Sequence, residues 1–551
     1  MKLVIVESPG KINTIKRYLP DDFAVIASVG HIMQIPTKGL NINIEDGSFM
    51  PNIEVMPGKE DVVKNIRDMS SVAEEVFICS DLDREGEKIA LDISNLISDK
   101  SKLRRSVFNE ITKKAVTKAI SNPRPLDINM VNSQIARQVL DRLIGYIVSP
   151  MVWDKVPGGK SAGRVQSVAL RIVADRELEI EAFKIEKFWD IPVKFKIEDK
   201  EVLGIVQTKD KNRFLDKESA DNAKKAIGSK ATVKTVDTKR GKRNPPSPFD
   251  TADLQSSASA MFGWASEKTM EVAQSLYEKG ACTYHRTDSY VVSEDAAKVC
   301  SDWIKEKYGE QYVPKKATVH KEKGITQDAH ECIRPTSLYS DDWTANEMNE
   351  DDKKLLKLIK ARFIASQMEN MEVEKTNIIA ESGEYNILVE GQSVIFDGWS
   401  KVWKSDSKEV FLPVIKEGNE LDIIEVQVKI HETRPPDRYN DGTLVKKMKK
   451  EGIGRPSTWA TAVKSLCDRG YVTIEGKNFV LSDLGRNVYF FLMKEFESFF
   501  MDIKFTSKVE EELDKIEKGK SKKLDVIKSF YESLDNIVHK ERNQIFADIF
   551  G

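Results

Sequence analysis

The chain has 551 residues, with 86 Lys plus Arg against 88 Asp plus Glu, a formal net charge of −2, and 40% hydrophobic residues. That composition excludes a disordered or fibrous chain and predicts several globular domains, at roughly 150 residues each. No apolar run approaches the roughly 18 residues of a membrane span, and the N-terminus lacks the basic and apolar regions of a secretory signal, so no membrane association is expected. Cys79, Cys282, Cys300, Cys332 and Cys467 include no Cys-x-x-Cys pair, which argues against a zinc ribbon or a disulfide scaffold. A reducing, intracellular setting is expected: the cytoplasm and nucleoid of a cell, or host cytoplasm for a viral protein. The near-neutral total hides an acidic stretch at 41–90 and basic ones at 231–250 and 431–480.

In chain order, residues 1–120 alternate strand-like and helix-like runs, an α/β pattern with a mainly parallel sheet. Lys2 to Val6 reads as the first strand and Val76 to Cys79 as a later buried one. A helix follows the latter, with Ile89, Ile93, Leu96 and Ile97 on one face. Residues 125–182 read as helices, with a stripe through Ile135, Val139, Leu143, Ile144 and Ile147 and a break at Pro157-Gly158-Gly159. Residues 187–245 and 373–430 turn β-rich. They flank a helical insert that begins after Asn244-Pro245-Pro246-Ser247-Pro248 and runs to about 370. This predicts one discontinuous β domain. Residues 440–545 are helical again, with a strand pair near 470–481.

Two segments carry chemistry. Glu7 ends the first strand, and Asp81, Asp83 and Glu85 follow a second strand end. Functional groups gather at the carboxyl ends of strands in an open parallel sheet, and alternation along an extended segment puts Asp81 and Asp83 on one side. Converging carboxylates need a cation, and oxygen-only ligands suit Mg²⁺. The alternatives are a solvated acidic loop or a calcium-binding EF-hand loop, because Asp81, Asp83, Glu85, Gly86 and Asp92 have its spacing. A preceding strand and Lys88 oppose the EF-hand. The second segment is Thr283-Tyr284-His285-Arg286-Thr287-Asp288-Ser289. A tyrosine hydroxyl is a weak nucleophile at its ordinary pKa of about 10, and a neighbouring guanidinium favours both phenolate and phosphate charge. By itself this tyrosine reads more simply as a core residue. Gly159-Lys160-Ser161 ends like a phosphate-binding loop but has Asp154 where the leading glycine belongs, so no nucleotide cofactor is expected.

Together these residues resemble the type IA DNA topoisomerases. Glu7-Ser8-Pro9 with Lys11 and Asp81-x-Asp83-x-Glu85-Gly86-Glu87 look like the family's catalytic TOPRIM domain, and Tyr284-x-Arg286-Thr287-Asp288-Ser289 looks like its active-site tyrosine segment. The likeness continues in 161–167 (Ser-Ala-Gly-Arg-Val-Gln-Ser), 329–335 (Ala-His-Glu-Cys-Ile-Arg-Pro) and 452–458 (Gly-Ile-Gly-Arg-Pro-Ser-Thr), in the family's order. The Glu-Ser-Pro and Asp-Leu-Asp forms are closer to topoisomerase I than to topoisomerase III.

The resemblance implies a multidomain α/β and α+β torus. TOPRIM would be 1–124, a helical DNA-binding domain 125–183 with 431–551, a β-rich arch 184–247 with 371–430, and a tyrosine-bearing helical domain 248–370. It implies ATP-independent relaxation of negatively supercoiled DNA, by cleavage of one strand through a 5′-phosphotyrosine on Tyr284. Arg286 and Lys11 would steady phosphate charge, Glu7 would be the general acid, and His330 would lie at the scissile phosphate or be structural. Mg²⁺ would be held by Asp81, Asp83 and Glu85. Arg137, Asp141, Arg164, Gln166, Arg455, Ser457 and Thr458 would contact single-stranded DNA. A monomer is expected, with a single-strand-binding partner in place of the zinc modules many relatives carry. Lys88, Leu91-Asp92, Gln138 and Trp459 depart from the family pattern. The competing readings are a topoisomerase III-like decatenase and a single-strand-binding protein with a degenerate catalytic centre.

Overall fold

A computed structural model describes residues 1–210, 212–316, 318–320, 331–339, 348–404 and 409–550, the last with side chains to His539. At the N-terminus the strands Lys2–Val6, Phe23–Ala27, Glu75–Cys79 and Leu103–Arg105 form a parallel sheet. Lys2–Val6 and Glu75–Cys79 are the inner pair. Leu3 to Val6 are fully buried, as a run apolar on both faces requires when helices cover both sides of a sheet. Val6 stands beside Cys79 in register, so Glu7 and the 80–83 loop leave the sheet side by side. The chain departs to opposite sides of this pair, which opens a crevice at their carboxyl ends.

The two β-rich stretches join one six-stranded closed antiparallel barrel, in the order Lys230–Arg243, Met371–Ser382, Tyr385–Phe396, Lys200–Val206, Pro192–Ile197, Glu420–Val426. Phe195, Val206, Ile387 and Val389 fill its interior. The insert between them carries the helices Thr251–Phe262, Ser266–Glu278, Glu294–Tyr308 and Glu350–Ser366. The largest core gathers Ile128–Lys155 and Arg164–Glu181 with helices from 441–538, among them Asp483–Phe496 and Ile503–Glu517. The strand pair expected near 470–481 is Val472–Glu475 with Asn478–Leu481. No helix among the described residues is long and apolar enough to cross a membrane.

Candidate active site

The site forms where the TOPRIM-like crevice meets the 281–289 segment. Asp83 is the N-cap of the helix Arg84–Leu96: it accepts a 2.7 Å hydrogen bond from the Gly86 amide, which satisfies an otherwise orphaned donor. Gly86 has to be glycine, because a Cβ there would lie 2.2 Å from the Asp81 carbonyl oxygen. Arg105 clamps the strand end from behind, donating to the carbonyls of Ile78, Ser80 and Asp81. It also pairs with the fully buried Glu87, which Arg124 and the Asp127 amide hold as well. The helix start at Asp83 and the ion pair of Asp92 with Lys88 (2.5 Å) remove the EF-hand alternative. Lys88 and Asp92, two departures from the family pattern, therefore neutralise each other inside the fold.

Around this turn lie the expected catalytic groups. Lys11 is fully buried and paired with Asp81. The Asp81 amide donates to Glu7 Oε2 at 3.3 Å. Burial, and then the charges of Asp81 and Asp83, push the Glu7 carboxyl up to about 7, against the opposing pull of Lys11. The 281–289 segment is irregular backbone tied down on both sides. Thr283 Oγ1 donates to the Cys332 carbonyl, and the Thr287 amide donates to Thr251 Oγ1. The Tyr284 amide donates to the Asn109 carbonyl at 2.8 Å, which couples the tyrosine to the TOPRIM-like unit. Tyr284 is 1% exposed, and its hydroxyl donates to Asp83 Oδ2 at 2.5 Å. Burial, followed by the Asp83 charge, keeps that hydroxyl protonated far above its usual range. Arg286 lies 3.9 Å from the same Asp83 oxygen.

Glu7, Lys11, Asp81, Asp83, Tyr284 and Arg286 thus come together as the sequence implies. Glu85 stands at their edge, lining a small pocket with Asp83 and Arg286, and is held by other partners. Its carboxylate accepts from Gln134 at 2.6 Å, meets His31 at 3.1 Å and faces Arg137 at 3.6 Å. Burial raises its pKa, and His31 with Arg137 more than reverses that. Among the described residues no three of His, Cys, Asp and Glu are arranged to hold a metal. The donor chemistry of Asp81 and Asp83, oxygen only, fits a hard divalent cation, whereas Glu85 is engaged elsewhere. His330 lies outside the described residues.

The DNA-contact set divides. Arg137 donates to Ser457 at 3.2 Å and lies 3.8 Å from Asp141. Arg137, Ser457 and Arg455 line a small pocket with Asp83, Glu85, Arg286 and Asp288. Next to it a groove of about 480 Å³ runs past Glu7, Arg286 and Ser457. Arg164 contradicts the expected strand contact: it is 1% exposed and locked between Asp141 and Glu510. Gln166 turns back on Ser161, and Thr458 Oγ1 accepts from the Arg455 amide within its own turn. Arg455 is half committed, bonding Asp514 at 2.5 Å while it lines the pocket. The sequence reading missed Arg84, which joins the site to Asp514 and Glu517 of another helix. It missed their source too: Glu510, Asp514 and Glu517 recur at helical spacing and form one acidic stripe readable in the sequence.

A TOPRIM-like acidic crevice closed by a buried tyrosine and a half-buried arginine defines a DNA strand-transferring enzyme. The family of Toprim domains matches residues 2–111, and the family described as DNA topoisomerase matches residues 125–528. DNA topoisomerase 1 of Rickettsia bellii is 40% identical over 582 residues, covering 100% of this chain and 72% of that protein. The Aquifex aeolicus DNA topoisomerase 1 is 39% identical, covering 99% of this chain and 100% of its own length. The full-length topoisomerase I of Thermotoga maritima superposes with a TM-score of 0.88 at 36% identity, over 97% of this chain and 90% of that one. The chain belongs to the bacterial DNA topoisomerase I family, type IA, whose members are isomerases.

Proposed function

We propose that this chain relaxes negatively supercoiled DNA by cutting and resealing one strand through Tyr284, within the four-part division 1–124, 125–183 with 431–551, 184–247 with 371–430, and 248–370. The Tyr284 oxygen attacks the scissile phosphorus as its proton passes to Asp83, the carboxylate it already hydrogen-bonds. The bond from phosphorus to the 3′ oxygen breaks, that oxygen takes a proton from Glu7, and the 5′ phosphate stays on Tyr284. Reversal after strand passage reseals the DNA, so bond energy is conserved and no ATP is required.

The observation that carries this reading is the Tyr284–Asp83 contact with Glu7, Lys11 and Arg286 at its edge. A raised carboxyl pKa suits a general acid at neutral pH. Lys11 and Arg286 offer fixed positive charge to the phosphate, where it is worth most in a desolvated site. Mg²⁺ bound by Asp81 and Asp83 would supply phosphate charge neutralisation and strand positioning. Arg137, Ser457 and Arg455 would lead a single strand to the site, and the protein works as a cytoplasmic monomer. The test is relaxation of a negatively supercoiled plasmid, with and without Mg²⁺, beside Tyr284→Phe. Relaxation lost in the variant, with a 5′ adduct trapped by denaturant in the parent, supports the reading. Cleavage that persists in Tyr284→Phe sinks it.

A further inference from the structure

Tyr277 has no part in the chemistry above, yet it touches both halves of it. It sits on the helix Ser266–Glu278 and is completely buried. The Lys11 ammonium lies 5.1 Å from its ring centroid, inside the range of a cation–π contact. On another side its ring meets the Tyr284 ring at 5.3 Å and 70°, an edge-on packing. Its hydroxyl makes one long bond, 3.4 Å, to the Phe108 carbonyl. The His285 ring completes the enclosure, 5.4 Å from Tyr284 and 6.1 Å from Tyr277.

We propose that Tyr277 is a positioning residue that aligns the Lys11 ammonium with the Tyr284 ring each time the tyrosine-bearing unit docks on the TOPRIM-like unit. Lys11 and the Phe108 carbonyl belong to one unit, and Tyr277 and Tyr284 to the other. Lys11 has a flexible four-carbon stem, and among the described residues Asp81 is the carboxylate that bonds its ammonium directly. The face of the Tyr277 ring supplies the second fixed point. A desolvated ring face holds an ammonium through its quadrupole, and that hold depends on the electron density of the ring. The same ring limits the tilt of Tyr284, so nucleophile and cation are set by one group. A residue that merely filled the core would change the rate only as far as it changed stability.

This inference rests on the assignment of Tyr284 as the nucleophile, and the experiment separates the two. Phenylalanine, then 3,5-difluoro- and 3,4,5-trifluorophenylalanine, are placed at position 277 of the full chain by suppression of a stop codon. Shape is kept while the ring face loses negative charge. Single-turnover cleavage of a single-stranded oligonucleotide, its KM and the melting temperature are read for each. Tyr277→Phe is expected within about twofold of the parent, because the hydroxyl bond is long. The fluorine series is expected to lower the cleavage rate stepwise by about tenfold, with KM and melting temperature unchanged. A flat rate across the series overturns the proposal. So does a fall in rate that follows a fall in melting temperature, since that is what core packing alone gives. Cleavage surviving in Tyr284→Phe instead removes the reading beneath it.

Discussion

Replacing Glu7 by glutamine tests the division of labour in the site at one proton. A carboxyl held at its usual value of 4.5 carries a proton in about one molecule in 300 at pH 7, whereas one pushed up to about 7 carries it in half, a gain of about 150-fold in the acid form. Burial is the largest cause of that rise, and repulsion from Asp81 and Asp83 adds to it. The sign follows: the acid form dominates below about pH 7, so cleavage that needs it declines as pH rises past that point. A cation held by Asp81 and Asp83, as proposed, would remove part of the repulsion and shift the decline to lower pH. Glu7→Gln keeps the shape and cannot give a proton, and the loss expected for a general acid is about 10²- to 10³-fold in cleavage rate. The assay is single-turnover cleavage of two oligonucleotides, one normal and one with sulfur replacing the 3′ oxygen at the scissile phosphate. A thiolate, with a conjugate-acid pKa of roughly 8.5, leaves without protonation. Glu7→Gln is therefore expected to fail on the oxygen substrate and to recover to within about tenfold of the parent on the sulfur substrate. Equal defects on both substrates would refute Glu7 as the acid.

Three further outcomes follow from the buried charges. Glu510→Ala leaves Arg164 facing an apolar interior with only Asp141, and is expected to destabilise the fold by about 3–5 kcal/mol, visible as an earlier thermal or urea transition. Arg137→Ala should weaken oligonucleotide binding and lower its dependence on salt, while Arg164→Ala should lower stability without changing the salt slope, because Arg137 reaches the pocket beside Asp83 and Arg164 does not. Lys88→Ala strands Asp92 inside the protein and is expected to destabilise, whereas adding Asp92→Ala should recover much of the loss in a double-mutant cycle.

What the sequence could reveal depended on how local the governing interaction is. The central strands were legible because Leu3 to Val6 and Val76 to Cys79 are apolar on both faces, as strands of a parallel sheet covered on both sides are. A discontinuous β domain was legible because two β-rich stretches flank a helical insert, although its closure into a barrel through Lys230–Arg243 and Glu420–Val426 is a long-range pairing no local pattern encodes. Glu7, Asp81 and Asp83 converge because strand ends fix them. The partners of Glu85 were not legible: it is the second residue of the helix that Asp83 caps, and His31 and Gln134, which hold its carboxylate at the edge of the crevice, come from distant segments. Arg164 was misassigned for a related reason. A helix N-terminus beside a glycine reads as a phosphate site, but the acidic stripe from Glu510 to Glu517 supplies the anion from within the protein.

The resting site is balanced by its own charges, and that balance has a consequence for ligand order. Lys11 is paired with Asp81, Arg286 faces Asp83, and Tyr284 gives its proton to a hydrogen bond with the same Asp83. A phosphodiester entering the groove beside Glu7 and Arg286 brings a negative charge that competes for both cations. Each cation it draws leaves an aspartate short of a partner, and two short aspartates are a better site for a dication than two paired ones. DNA and Mg²⁺ should therefore bind with positive coupling, and by linkage each should tighten the other by the same factor. Titrating Mg²⁺ by calorimetry, with and without a saturating oligonucleotide on the uncleaving Tyr284→Phe protein, measures that factor. A gain of about tenfold in Mg²⁺ affinity is expected, the lower part of the usual range of coupling between sites. Equal affinities would mean that the aspartates keep Lys11 and Arg286 when DNA is bound, and that the cation is recruited by the phosphate alone.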